Sequence, residues 1–82
     1  MFDRILVVCI GNICRSPMAE QLLKVELTQK VISSAGLGAL VNAPADDHAQ
    51  ALMTELGHDI SQHRGRQINA ELISQADLIL VM

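Results

Sequence analysis

The sequence predicts an α/β fold, a parallel sheet sandwiched by helices, and three observations predict it. Residues 5–8 are apolar on both faces, as parallel strands covered by helices on each side tend to be. A helical pattern over residues 17–28 follows and leads into a short β-branched stretch, residues 30–35. Strand, helix and strand of this length make a right-handed parallel crossover. Two more helical stretches then precede a last apolar run, residues 78–82.

The first strand, residues 3–9, delivers Cys9 into a short loop. Gly11 and Asn12 in that loop are residue types that tolerate left-handed backbone. Pro17 suits the first position of a helix, with Ser16 before it as a side-chain cap. In that helix Met18, Leu22 and Val25, with Ala19 beside them, form the buried stripe, while Glu20, Gln21 and Lys24 face solvent. Gly36, Gly38, Asn42 and Pro44 break regular structure over residues 36–45. Asp46 or Asp47 caps the next helix, where Ala49, Leu52, Met53 and Leu56 keep the spacing of a core-facing side and Gly57 ends the run. Residues 58–67 are polar and irregular apart from Ile60. A short helix, about residues 69–75, leads into the third strand. The chain has no internal repeat, low-complexity tract or linker.

Half of the 82 residues are hydrophobic, which calls for a packed core. With one Phe and no Trp or Tyr, that core is aliphatic. A net charge of −3 argues against nucleic acid or a polybasic membrane surface as partner. No apolar run approaches the ~20 residues of a membrane span, and Asp3 and Arg4 argue against a signal peptide. Two cysteines in one loop are no disulfide framework, so the cytoplasm is the expected compartment. His48, His58 and His63 lack ligand spacing, and no nucleotide-type glycine loop is present, so neither metal nor cofactor is expected.

The chemistry converges on residues 9–17. A strand, a tight turn and a helix N-terminus meet at one thiol, and the turn's inward N–H groups and the helix dipole attract anions. Arg15 brings a forked, permanent positive charge to the same cavity. Five residues separate Cys9 from Arg15, enough to wrap once around a tetrahedral oxyanion. The same field favours a thiolate, so Cys9 is expected to be largely ionised at neutral pH and nucleophilic. An inert cysteine at a strand end is the plainer alternative. Gly11, Asn12, Arg15, Ser16 and Pro17 falling together weigh against it.

The segment Cys9-Ile10-Gly11-Asn12-Ile13-Cys14-Arg15-Ser16-Pro17 resembles the signature loop of the low-molecular-weight protein tyrosine phosphatases. The likeness continues through Ser34-Ala35-Gly36, His63-Arg64-Gly65-Arg66-Gln67-Ile68 and Asp77-Leu78-Ile79-Leu80. It spans the whole chain, which corresponds to about the first half of such a phosphatase. The resemblance implies a sheet of strand order 2-1-3-4, ending here after strand 3, so that residues 1–82 form a single, incomplete phosphatase domain. It implies Cys9 as the nucleophile of a phosphocysteine mechanism and Arg15 as a bidentate grip on the phosphoryl oxygens. Ile10, Gly11, Asn12, Ile13, Cys14 and Ser16 would complete the phosphate-binding loop. Ser34 and His63 match the pair that supports the asparagine's amide, and Ser16 would also donate to the thiolate. Arg66 would anchor a loop.

Ile10 and Leu40 would wall the substrate slot, Leu40 standing where many members carry an aromatic residue. Cys14 is either a redox partner forming a disulfide with Cys9 under peroxide or a small packed side chain. Residues 36–41 most resemble the bacterial subgroup acting on tyrosine kinases of capsule and exopolysaccharide export. An autophosphorylated kinase of that kind is the implied protein partner, with inorganic phosphate or another oxyanion in the loop.

The family's general acid is the aspartate of an Asp-Pro pair, whereas Pro17 and Pro44 here follow Ser16 and Ala43. Losing such a donor typically costs roughly 10²–10⁴ in rate, so these residues are expected to bind phosphate analogues with little turnover. Without a fourth strand, strand 3 would be an exposed apolar edge inviting self-association. Three rivals remain. Arsenate reductases on this scaffold need redox cysteines further along, and none follows Cys14. A non-catalytic oxyanion- or phosphoprotein-binding module needs no acid. A phosphocysteine carrier of sugar transport would not need Arg15.

Overall fold

Strand β1 (Arg4–Cys9) forms from the apolar run and lies at the centre of the sheet. The computed structural model describes residues 2–82. After β1 come α1 (Arg15–Glu26), β2 (Val31–Gly36), α2 (Asp47–Glu55), α3 (Ala70–Gln75) and β3 (Leu78–Val81). Both neighbours run parallel to β1, with Ile5 opposite Ile32 in β2 and Leu78 in β3. The order is β2-β1-β3, the parallel α/β sandwich that the sequence predicts.

Alternate residues of β1 serve opposite faces. Ile5 and Val7, with Ile32, pack under Ala19, Leu23, Leu27 and Leu78. Leu6 and Val8, with Ala35, pack against Ile68, Leu72 and Ala76. Covering both faces explains why the strand reads as continuously apolar. A third cluster, Ala45, Ala49, Met53 and Ile60, receives Met18 and ties α2 to α1.

Two helix faces differ from the sequence prediction. Leu22 and Val25 are exposed, and the sheet-facing row is Ala19, Leu23 and Leu27. The cause lies at the helix start. Helix α1 begins at Arg15, with Cys14 at the cap position and no side-chain cap bond, so Ser16 and Pro17 lie inside the first turn. Ser16 points its hydroxyl at Cys9 Sγ, 2.9 Å away. At 100° per residue, turning Ser16 inward carries residues 19, 20, 23 and 27 inward as well, and sends 22 and 25 outward. Glu20, expected in solvent, is therefore part-buried.

In α2 only Ala49 and Met53 are buried, and Leu52 and Leu56 are exposed. That helix packs along a narrow seam against Met18 and Ile60 rather than on the sheet, so the wider stripe has nothing to meet. Its cap is Asp46, whose carboxylate accepts from the N–H groups of His48 and Ala49. Gly57 follows with φ +86°, the left-handed turn that ends many helices. Asn69 caps α3 through Leu72 N–H.

Candidate active site

The loop from Cys9 to α1 is built around Asn12, which is fully buried at φ 58°. Its side-chain oxygen accepts from Arg66 N–H at 2.8 Å, and since a backbone amide can only donate, the orientation of the carboxamide is fixed. Its Nδ2 then donates twice, to Ser16 Oγ at 2.8 Å and to Ser34 Oγ at 3.0 Å. Having accepted from Asn12, Ser16 has its own proton free for Cys9 Sγ. Ser34 likewise turns its proton to Glu20 Oε1. A single buried carboxamide thus orients two hydroxyls in opposite directions, one toward sulfur and one toward a carboxylate. Such a chain of bonds polarises each member.

His63 reaches the same residue differently from the expectation. Its Nε2 lies 2.6 Å from the Asn12 main-chain carbonyl rather than from the side-chain amide. The carbonyl can only accept, so Nε2 carries the proton.

Cys9 is 5% exposed. Burial alone pushes its thiol up, but the Ser16 hydroxyl, the N–H groups of Ser16 and Asn12, and the Arg15 charge outweigh it and hold the pKa below the ordinary 9.0. Because folding lowers this pKa, the thiolate's contribution is complete above pH 9.0 and is lost as pH falls through the lower folded value. Arg15 opens α1 and is exposed, so its charge stands at the mouth of the loop. Both cysteines are free, Cys9 buried and Cys14 exposed.

The neighbouring wall is laced to the loop by main-chain bonds. Leu37, Gly38 and Leu40 donate their N–H groups to the carbonyls of Cys9, Ile10 and Gly11. Ile10 and Leu40 are both exposed on these two loops. The close approach needs glycine on both sides. A Cβ at Gly36 would stand 2.5 Å from the Ile10 carbonyl oxygen, and one at Gly65 would overlap the Leu40 carbonyl oxygen.

Residues 4–82 match the family model described as low molecular weight phosphotyrosine protein phosphatase. The chain belongs to that family. It is 57% identical over 81 residues to the low molecular weight protein-tyrosine-phosphatase Ptp of Acinetobacter johnsonii, covering 99% of this chain and 57% of that protein. Among solved structures, the tyrosine phosphatase Wzb of Escherichia coli K30, in complex with sulphate, superimposes with a TM-score of 0.97 at 50% identity. That match covers all of this chain and 57% of Wzb. Wzb of Vibrio vulnificus in complex with benzylphosphonate gives a TM-score of 0.97 at 44% identity, covering 100% of this chain and 59% of that one. The chain therefore spans somewhat more than half the length of these phosphatases.

Within the chain the structure brings Cys9, Asn12, Ser16, Ser34 and His63 into one connected group, with Arg15 at its rim. Glu20 and, in the neighbouring wall, Gln67 escaped the sequence reading, whereas Arg66 was expected to anchor a loop. Glu20 was placed in solvent, although it lies four residues after Ser16 on the same helix face, a spacing that gave a usable signal. Arg66 donates its backbone N–H to Asn12 Oδ1 at 2.8 Å and its Nε–H to Ser34 O at 3.3 Å. Gln67 binds the wall loop with its side chain, donating to Leu37 O and accepting from Ala39 N–H.

Proposed function

We propose that the chain carries the phosphate-binding half of a protein-tyrosine-phosphatase working through a phosphocysteine. The observation that carries this is Cys9 Sγ held 2.9 Å from the Ser16 hydroxyl at the N-terminus of α1, surroundings that lower the thiol's pKa. In the proposed reaction the Cys9 thiolate forms an Sγ–P bond as the P–O bond to the tyrosyl oxygen breaks. Water then attacks phosphorus, releasing inorganic phosphate and the thiolate. Arg15 holds two phosphoryl oxygens, and the loop N–H groups of residues 10–16 hold the rest. Asn12, with Ser34 and His63, keeps the loop in shape, Ile10 and Leu40 flank the ring, and Cys14 stands as the redox partner of Cys9. The proton for the departing phenol comes from an acid outside these 82 residues, which contain no Asp-Pro pair.

The reading extends to the setting. Residues 1–82 are taken as one incomplete phosphatase domain, acting in the cytoplasm on an autophosphorylated tyrosine kinase of exopolysaccharide export. The resemblance of the 36–41 loop and the free thiols support this. The rival is a non-catalytic oxyanion- or phosphoprotein-binding module, which would use the same loop and Arg15 without a proton donor.

Titration of the chain with vanadate, together with aryl phosphate turnover by the chain and its Cys9→Ser variant, separates the two. The phosphatase reading expects vanadate binding, iodoacetamide trapping of Cys9 that begins below the pH of an ordinary thiol, and any turnover lost on Cys9→Ser. Oxyanion binding with no Cys9-dependent turnover, even in a longer protein carrying this chain, leaves the binding module. No oxyanion binding removes both.

The reading also includes self-association of the 82-residue chain through β3, an edge strand where Leu80 and Val81 are exposed. Sedimentation velocity is expected to show a coefficient that rises with concentration. A monomer across the whole range would remove this part.

A further inference from the structure

We propose that Gln67 is a positioning residue that holds the ring-flanking wall at a fixed distance from the phosphate-binding loop, so that it governs binding of the aryl part of a ligand and not of the phosphate part. The inference rests on the phosphatase reading of the site and goes beyond it. The main chain of residues 65–68 runs alongside the wall. Gly36 N–H donates to Arg66 O, Ile68 N–H to Gly36 O and Asn42 N–H to Gly65 O. From this rail two adjacent residues reach out. Arg66 N–H takes Asn12 Oδ1 at 2.8 Å and so seats the phosphate-binding loop. The Gln67 carboxamide clamps the wall, accepting from Ala39 N–H at 2.9 Å and donating to Leu37 O at 2.8 Å.

The two bonds from Gln67 need a carboxamide, one atom accepting and the other donating, on a side chain of this reach. One terminal atom must accept from the Ala39 N–H and the other must donate to the Leu37 carbonyl, one and three residues before Leu40. Glutamate at neutral pH offers only acceptors and would repel the Leu37 carbonyl. Methionine keeps the length and offers neither bond in useful strength. The phosphate-binding loop, in contrast, has its own support in Asn12, Ser16, Ser34 and His63. Loosening the wall should leave that support in place. Leu37 and Leu40 are more than half exposed, so beyond the main-chain bonds that lace the wall to the loop it has little apolar packing to replace the clamp.

The test uses two probes, inorganic phosphate and benzylphosphonate, titrated by calorimetry into the chain and its Gln67→Met and Gln67→Glu variants. Benzylphosphonate affinity is expected to fall about tenfold in both variants, as the loss of two exposed hydrogen bonds allows, with phosphate affinity changed by less than about twofold. Hydrogen exchange at the Ala39 amide should quicken in the same variants while the amide of Arg66 keeps its protection. Equal losses for the two probes would mean a general structural role, and no loss for either would mean no role; both results overturn the inference. If the unsubstituted chain binds phosphate but favours benzylphosphonate no further, the wall does not contact the ring and the inference fails alone. If it binds neither probe, the phosphatase reading fails and takes this inference with it.

Discussion

Replacing Arg15 by lysine is expected to weaken vanadate and phosphate binding by roughly 10–100-fold, although the positive charge is kept. A planar guanidinium meets two oxygens of a tetrahedral anion at once, each through a charge-assisted bond of about 1.5–3 kcal/mol, and an ammonium can match only one of them. The thiol offers an internal control. Among the influences that depress the Cys9 pKa, the charge of Arg15 ranks behind the Ser16 hydroxyl and the N–H groups of Ser16 and Asn12. The pH dependence of Cys9 alkylation should therefore survive Arg15→Lys with little change while oxyanion affinity collapses. Calorimetric titration with vanadate and iodoacetamide kinetics against pH give the two readouts. Undiminished vanadate affinity in Arg15→Lys would show that charge alone is used and that no fork grips the anion.

How much of this was legible beforehand depends on the range of the interaction. The convergence of strand, turn and helix on Cys9 is written into nine consecutive residues, and equally local signals mark the cap at Asp46 or Asp47 and the stop at Gly57. Local signals of this kind act within one or two turns of chain. Ser16 shows where local reasoning fails. Its residue type suits a helix cap, but its hydroxyl is drawn instead to a sulfur seven residues back. That one contact also sets the rotation of α1, which is why Leu22 and Val25 face outward and Glu20 inward. Periodicity specifies that a helix has an apolar side but is weak at fixing its direction when Leu22, Leu23, Val25 and Leu27 crowd two faces. The bonds from residues 63–67 to the site reach back 51 and 54 residues to Asn12, and they depend on the fold having already closed. His63 and the loop-anchoring Arg66 were recognisable only through family likeness, and the main-chain N–H by which Arg66 reaches Asn12 is a group that residue identity does not announce.

The largest effect on stability is expected from Asn12, and a pair of variants separates its two contributions. In Asn12→Ala the carboxamide disappears, leaving the hydroxyls of Ser16 and Ser34 and the Arg66 N–H without their buried partner. The orphaned Arg66 N–H costs about 1–3 kcal/mol, and each serine, which keeps its bond to Cys9 or Glu20, loses one hydrogen bond of about 0.5–1.5 kcal/mol. Alanine must also hold φ 58°, a left-handed conformation that disfavours a Cβ by roughly 1–2 kcal/mol. Asn12→Ala is therefore expected to lose about 4 kcal/mol or more, a large share of the ~5–15 kcal/mol that holds a domain together. Asn12→Gly removes the same hydrogen bonds without the conformational penalty, so it should sit about 1 kcal/mol above the alanine variant.

For a chain of this size such losses lower the thermal midpoint by roughly 15 °C or more. Both variants should also move the alkylation profile of Cys9 to higher pH, because the Ser16 proton is no longer directed at sulfur and the Asn12 N–H is no longer held against it. Thermal unfolding by circular dichroism and alkylation kinetics measure the two consequences separately. If alanine and glycine at this position both unfold within a kilocalorie of the parent and leave the thiol's pH profile in place, the buried carboxamide does not organise the loop. The polarised path from Glu20 through Ser34, Asn12 and Ser16 to sulfur would then be geometry without effect.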